Sequence, residues 1–281
     1  MSGVNLRYVA SSGRSYNLKD RTLRARSSAI FHKWEWGINS VALQYGSRVS
    51  AFTRQAVVYE AVLSLFGTSE SRLKQLEALH NDFELDARNM TPGRLYWNDF
   101  YINCYATKST TEPDDSNMVV NNTISFYCPY PFWIKEEKVV LAEPDVSSGN
   151  FLDYPYDYPY DYTAPIMGER IVASDFPFES EFRMVIYGAA VNPRITINGY
   201  PYVLYTTISQ GSYAVIDSKA KTVMMYGSGG VKTNIFDLRN KTNSIFKKIP
   251  PGNLSIAWDA SFGVDLTIFR ERSEPEFEEV Q

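Results

Sequence analysis

The sequence has little of what catalytic and metal-binding sites are usually made from: two cysteines and two histidines in 281 residues. Cys104 and Cys128 are too few for a disulfide scaffold, and each sits in an apolar, strand-like run, so both are expected to be buried free thiols. With only His32 and His80, a multi-histidine metal site is excluded, and a Ser-His-Asp arrangement would need one of the two. His32 falls in the sheet-like run Ala29 to Trp36, and His80 lies near the end of the one convincing helix, which reads both as structural. Long apolar runs are also missing. Nothing approaches the roughly 20 residues that cross a bilayer, and Met1 to Ala10 has no apolar h-region, so neither membrane insertion nor an export signal is expected.

A dominant charge is lacking too, the formal net charge being −4, yet the charges are unevenly placed. Arg7, Arg14, Lys19, Arg21, Arg24, Arg26, Lys33, Arg48 and Arg54 face only Asp20 and Glu35 in the first 54 residues, whereas Glu271, Glu274, Glu276, Glu278 and Glu279 crowd the end. The basic stretch has no nucleic-acid-binding motif and is broken by apolar strand residues, so it reads as a solvated or subunit-contacting face, without sequence-specific nucleic-acid recognition.

Aromatic residues are abundant, with 20 Tyr, 16 Phe and 5 Trp, which favours sheets and large interfaces over helical bundles. Ser28 to Arg54 and Val57 to Phe66 read as β-rich runs. Thr68 or Ser69 can cap a helix over about 68–85, with Glu70 placed to pair with Lys74 and Leu73, Leu76, Leu79, His80 and Phe83 on its packed face. After the turn at Met90 to Gly93 come a strand run, a polar loop over Lys108 to Asn117, and a return strand with Ile124, Phe126 and Cys128 facing alike. In the exit element CPYPFW, Pro129 and Pro131 forbid a central-strand role and hold Phe132 and Trp133 in an extended path out of the first domain.

Asp153 to Tyr162 repeats Asp-Tyr-Pro-Tyr and reads as an extended, polyproline-like strip. Its aspartates lack the glycine and extra carboxylates of a calcium loop. Beyond it, strands recur at short intervals, with turns at Asn192-Pro193, Asn198-Gly199 and Ser218 to Lys221. Leu254, Ile256 and Trp258, then Phe262, Val264, Leu266 and Ile268, alternate as one antiparallel hairpin. The expectation is a mainly β protein: an N-terminal β-sandwich or split barrel with one helix over 1–145, a Tyr/Pro-rich connector over 146–165, and a C-terminal β-sandwich over 166–281.

The order of these elements, with CPYPFWIKE, NPRITING and the closing IPPGNLSIAWDASFGVDLTIFRERSEP, resembles the distal tail protein family of long-tailed bacteriophages over nearly the whole chain. The resemblance implies a first domain that forms a homohexameric ring and a galectin-like jelly-roll second domain projecting from it. Such a ring would be the hub of a virion tail tip, assembled in the host cytoplasm. It would join the tail tube protein to the tail-associated protein and anchor receptor-binding or baseplate proteins. The resemblance brings neither cofactor nor catalytic residues. Six copies closing head-to-tail need unlike patches to meet, and Arg21, Arg24 and Arg26 are the candidate contact residues. A carbohydrate-binding module is the alternative, with Asn198, Tyr200 and Tyr202 as the sugar platform. A glycosidase would need two carboxylates across a cleft, which the sequence does not single out.

Overall fold

Apolar residues at every second position become strands in the computed structural model, which describes residues 4–27, 29–113, 119–142 and 168–276. The chain divides into two compact units, one made of the residues up to Lys135 together with those from Glu271 on, the other of Glu136–Arg270. The closing acidic segment therefore belongs with the first unit, and residues 136–142 with the second. The Asp-Tyr-Pro-Tyr strip lies outside the described residues.

The first unit contains β1 (Leu6–Val9), β2 (Ser15–Asn17), β3 (Leu23–Ala25), β4 (Gly37–Ala42), β5 (Ser47–Thr53), β6 (Val57–Phe66), α1 (Ser69–Arg88), β7 (Gly93–Trp97), β8 (Phe100–Pro113), β9 (Val119–Cys128) and the start of β10 (Trp133–Leu141). Strand β8 serves two sheets. Its first half pairs with β7 in the order β2-β1-β7-β8, and its second half pairs with β9 in the order β8-β9-β6-β3. A register shift between Ala106 and Lys108 lets the strand bend from one sheet to the other. Lys108–Pro113 is thus strand, where its polar composition predicts a loop. Asn122 of β9 accounts for this by donating to Ser109 and Thr111 across the ladder, at 2.9 and 2.7 Å, so polar side chains satisfy one another within the sheet.

Helix α1 starts as its sequence predicts. The Thr68 side chain accepts from the Ser71 amide, and Lys74 meets Glu70 at 2.7 Å. It runs to Arg88, past the expected end, and Leu73 is exposed rather than packed. The buried face is shared by Leu79 and Phe83 with two carboxylates, Asp82 and Asp86. Asp86 is fully buried: Tyr8 donates to it a short hydrogen bond, and the Ser11 amide and hydroxyl donate at 2.9 and 2.5 Å. The Tyr16 hydroxyl donates to Asp82 at 2.5 Å. Polar staples therefore fasten the helix to β1 and β2, and burial followed by the Asp86 bond pushes the Tyr8 phenol well above its ordinary pKa. Gly93 sits beneath this cluster, where a Cβ would come within 2.1 Å of the Tyr8 hydroxyl.

The core joins Tyr8, Phe31, Tyr59, Phe126 and Trp133 with Cys104 and Cys128, whose thiols are free and buried as predicted. Burial pushes the Cys104 thiol up. Ala29–His32 is a single 3-10 turn rather than part of a strand, because it drives Phe31 into that core. His80 faces Ser109 at 3.0 Å.

The second unit contains β11 (Gly168–Val172), β12 (Glu181–Tyr187), β13 (Ala190–Val191), β14 (Arg194–Ile197), β15 (Tyr200–Val203), β16 (Thr207–Ile208), β17 (Tyr213–Asp217), β18 (Thr222–Tyr226), β19 (Lys232–Asn234), β20 (Leu254–Trp258) and β21 (Val264–Arg272, whose last two residues belong to the first unit). One antiparallel sheet runs β19-β18-β17-β12-β21 and a second runs β11-β20-β14-β15. Their inward residues, among them Phe182, Ile216, Ile197, Ile256 and Leu266, enclose one core. Both expected turns at 198–199 and 218–221 are present. Asn198 and Gly199 take φ of 45° and 78°, the twist that a two-residue hairpin requires.

The hairpin expected from Leu254 to Ile268 does not form. Its two strands point the predicted residues inward, yet β20 pairs with β11 and β14 while β21 pairs with β12. The intervening turn, with Ala260 at φ 60°, carries the chain from one sheet to the other, so both apolar sets reach the same core.

Candidate assembly surface

Among the described residues, strands β4 and β5 pair only with each other, from Gly37 opposite Thr53 to Ala42 opposite Ser47. The tip closes through Gly46 at φ 80°, with the Leu43 amide donating to the Gly46 carbonyl at 3.0 Å. A bulge interrupts the register after Asn39, where the Ser50 hydroxyl donates to the Asn39 carbonyl at 2.9 Å. Cross-strand partners share a face, so Ile38 and Phe52 stand together, with Val49 in the next paired position on the same side. None is covered: Ile38 is 62% exposed and Phe52 61%, and Tyr45 at the tip is 86% exposed. An isolated two-stranded hairpin is only marginally stable in water, and a contiguous apolar patch on a surface marks an interaction site. These features make the arm a candidate contact surface.

Its base is anchored. The Arg54 guanidinium, just after β5, lies 5.7 Å from the Trp36 ring and 4.7 Å from the Phe132 ring, and donates to the hydroxyl and carbonyl oxygens of Ser273 at 2.6 and 2.9 Å. Nearby, His32 lies 3.9 Å from Glu274, Tyr130 donates to Glu271 at 2.5 Å, and Trp97 donates to the Glu276 carbonyl at 3.1 Å. Part of the basic N-terminal stretch and the acidic end thus meet within one unit. Burial lowers the His32 pKa, with Glu274 opposing the shift.

Arg21, Arg24 and Arg26 are all exposed around β3, which pairs only with β6 among the named strands. Arg26 donates to the Ser64 hydroxyl at 3.2 Å. In the exit element, Pro129 is exposed and Pro131 buried, and neither is in a strand. Phe132 carries Arg54 on its ring, and Trp133 opens β10 fully buried, donating to the Tyr59 hydroxyl at 3.3 Å.

The suggested sugar platform does not assemble. The Tyr202 ring is in the core and its hydroxyl donates to the Lys247 carbonyl at 2.9 Å, while Lys247 covers the Tyr200 ring at 4.1 Å. Asn198 is used up tying its turn to the start of β20, accepting from the Ser255 amide at 2.7 Å and donating to the Asn253 carbonyl at 3.1 Å.

Neither a protein-family model nor a curated protein matches the sequence. Solved structures match in shape. The Dit protein of phage SPP1, described as a paradigm of the hub adsorption apparatus in phages infecting Gram-positive bacteria, aligns with a TM-score of 0.58 at 12% identity, over 95% of this chain and 99% of that one. A chain of the phage P2 baseplate in its activated conformation with Ca aligns at 0.59 and 13% identity, over 96% and 99%. With Sr the values are 0.60 and 13%, over 98% and 100%. The chain has the Dit fold.

Within the Dit fold of this chain, the described residues hold no group of three or more His, Cys, Asp or Glu side chains placed to bind a metal ion. No helix among them is long and apolar enough to cross a membrane. The sequence does not single out the arm at 37–53, because β-propensity marks strands without saying whether a core lies beside them. One signal was present: Asn39, Ser40, Ser47 and Ser50 interrupt the apolar alternation that β6 keeps intact.

Proposed function

We propose that this chain is a structural component of a phage tail tip, a hub whose first unit closes into a homohexameric ring. The ring links the tail tube to the tail-associated protein and carries receptor-binding or baseplate proteins, and the second unit is a galectin-like sandwich. The likeness in fold to the SPP1 Dit protein, running over 95% of this chain and 99% of that one, carries this reading. The role is architectural, with no turnover of its own.

The exposed arm supplies what such a ring needs. A head-to-tail contact joins two unlike patches, and the Ile38, Val49 and Phe52 face is one of them. Each is already about half buried, so covering it adds about half of the 1.5–3 kcal/mol that full burial contributes, about 1 kcal/mol. Arg21, Arg24 and Arg26 stand as exposed rim charges that set register, as charges at the edge of an interface do. Native mass spectrometry of the purified chain tests the reading: a hexamer supports it, and a monomer at every concentration contradicts it.

A further inference from the structure

The outward face of the β12, β17, β18 and β19 sheet carries an ordered trough. Cross-strand register places Tyr187, Tyr213, Tyr226 and Lys232 in one row across the four strands. The next row on the same face is Val185, Val215, Met224 and Asn234, and the one after it is Arg183, Asp217 and Thr222. Val185, Val215 and Met224 form an apolar floor between Tyr213, Tyr226 and Lys232 on one side and Arg183, Asp217 and Thr222 on the other, and the open cavity these residues line is about 470 Å³.

Both walls are held in place. Tyr213 and Tyr226 stack with centroids 4.9 Å apart and planes 11° from parallel, Tyr187 follows at 6.3 Å, and the Tyr187 hydroxyl donates to Asp265 at 2.8 Å. Arg183 donates twice to one Asp217 oxygen, at 3.1 and 2.8 Å, while the other accepts from the Ala220 amide at 2.8 Å. Lys232 lies 5.6 Å from the Tyr226 ring at the end of the row. None of these side chains supports the core, and Tyr187 and Tyr213 are exposed.

We infer that this trough binds a glycan chain. A pyranose presents an apolar C–H face and a rim of hydroxyls that both donate and accept. The Val185, Val215 and Met224 floor meets the first, and the Arg183, Asp217, Thr222 and tyrosine hydroxyl groups along the walls meet the second. A preformed cavity of this size, with an apolar floor on which polar groups converge, suits a ligand, and a trough open along its length suits an extended polymer. The inference does not depend on the ring, since every residue lies within the second unit.

Saturation-transfer NMR on the full chain tests it, with hexasaccharides of glucose, of N-acetylglucosamine and of rhamnose as probes. The expected result is transfer to the ring C–H protons of at least one probe, with affinity reduced about tenfold or more by Tyr213→Ala and by Arg183→Ala. Unchanged thermal midpoints show that these exposed sites leave the fold intact, and Phe52→Asp serves as a variant outside the trough. The proposal is overturned by the absence of transfer from all probes at about 5 mM, the result expected if a loop of a neighbouring protein occupies the trough, or by transfer that both trough variants leave unchanged.

Discussion

Arg54 and Ser273 are 219 residues apart in sequence, and two hydrogen bonds of 2.6 and 2.9 Å join the guanidinium of one to the hydroxyl and carbonyl of the other. The same guanidinium is flanked by Trp36 and Phe132, so the foot of the exposed arm, the proline-containing exit element and the closing segment share one residue. Arg54→Ala is expected to lower the unfolding free energy by about 1–3 kcal/mol, read by urea denaturation. Arg54→Lys recovers only part of it, because an ammonium lacks the planar fork that serves both oxygens and both rings.

The arm separates assembly from stability. Ile38→Asp and Phe52→Asp place a charge where burial is required on association, yet both positions are exposed in the single chain. Each is expected to abolish oligomers in sedimentation velocity while moving the thermal midpoint of the monomer by no more than about 2 °C. A matching collapse of the midpoint would place these residues in the chain's own core instead.

Acid weakens the first unit through His32. Burial depresses its pKa below the ordinary 6.5, so the folded form binds the proton less tightly than the unfolded one. Its contribution is complete above 6.5 and is lost as pH falls from there toward the lower folded value. Denaturation midpoints are expected to drop as pH falls below about 6.5, and His32→Gln is expected to flatten that drop.

Asp86 is the most exacting polar position. Asp86→Ala strands the Tyr8 hydroxyl and the Ser11 amide beside the core, at an expected cost of about 2–4 kcal/mol in chemical denaturation. Gly93→Ala reaches the same cluster from below by displacing the Tyr8 hydroxyl, with an expected loss of about 1–3 kcal/mol.

These residues also show how far a sequence reaches. β6 occupies Val57–Phe66 as the apolar run predicts, the Asn198-Gly199 turn forms, and Thr68 caps α1. In each case the signal is local, a period or a backbone preference that a few residues settle. Partner choice is not local. Leu254 and Leu266 point inward as their alternation requires, but a period of two is the same whether the next strand lies beside or across the core, and here it lies across. The helix misleads for a related reason, since Leu73 is exposed while Asp82 and Asp86 are buried, the groups that donate to them lying on β1, β2 and the turn between them. The trough is not legible in the sequence because Tyr213 and Arg183 are the outward members of strands whose apolar period marks only the inward ones.

Single-particle imaging of the assembled chain tests the central claim most directly. The account predicts a six-membered annulus with an open channel, in which the 37–53 arm of each copy lies against its neighbour and Ile38 and Phe52 are covered. A particle population of monomers alone, or an annulus in which those two side chains still face solvent, would contradict it.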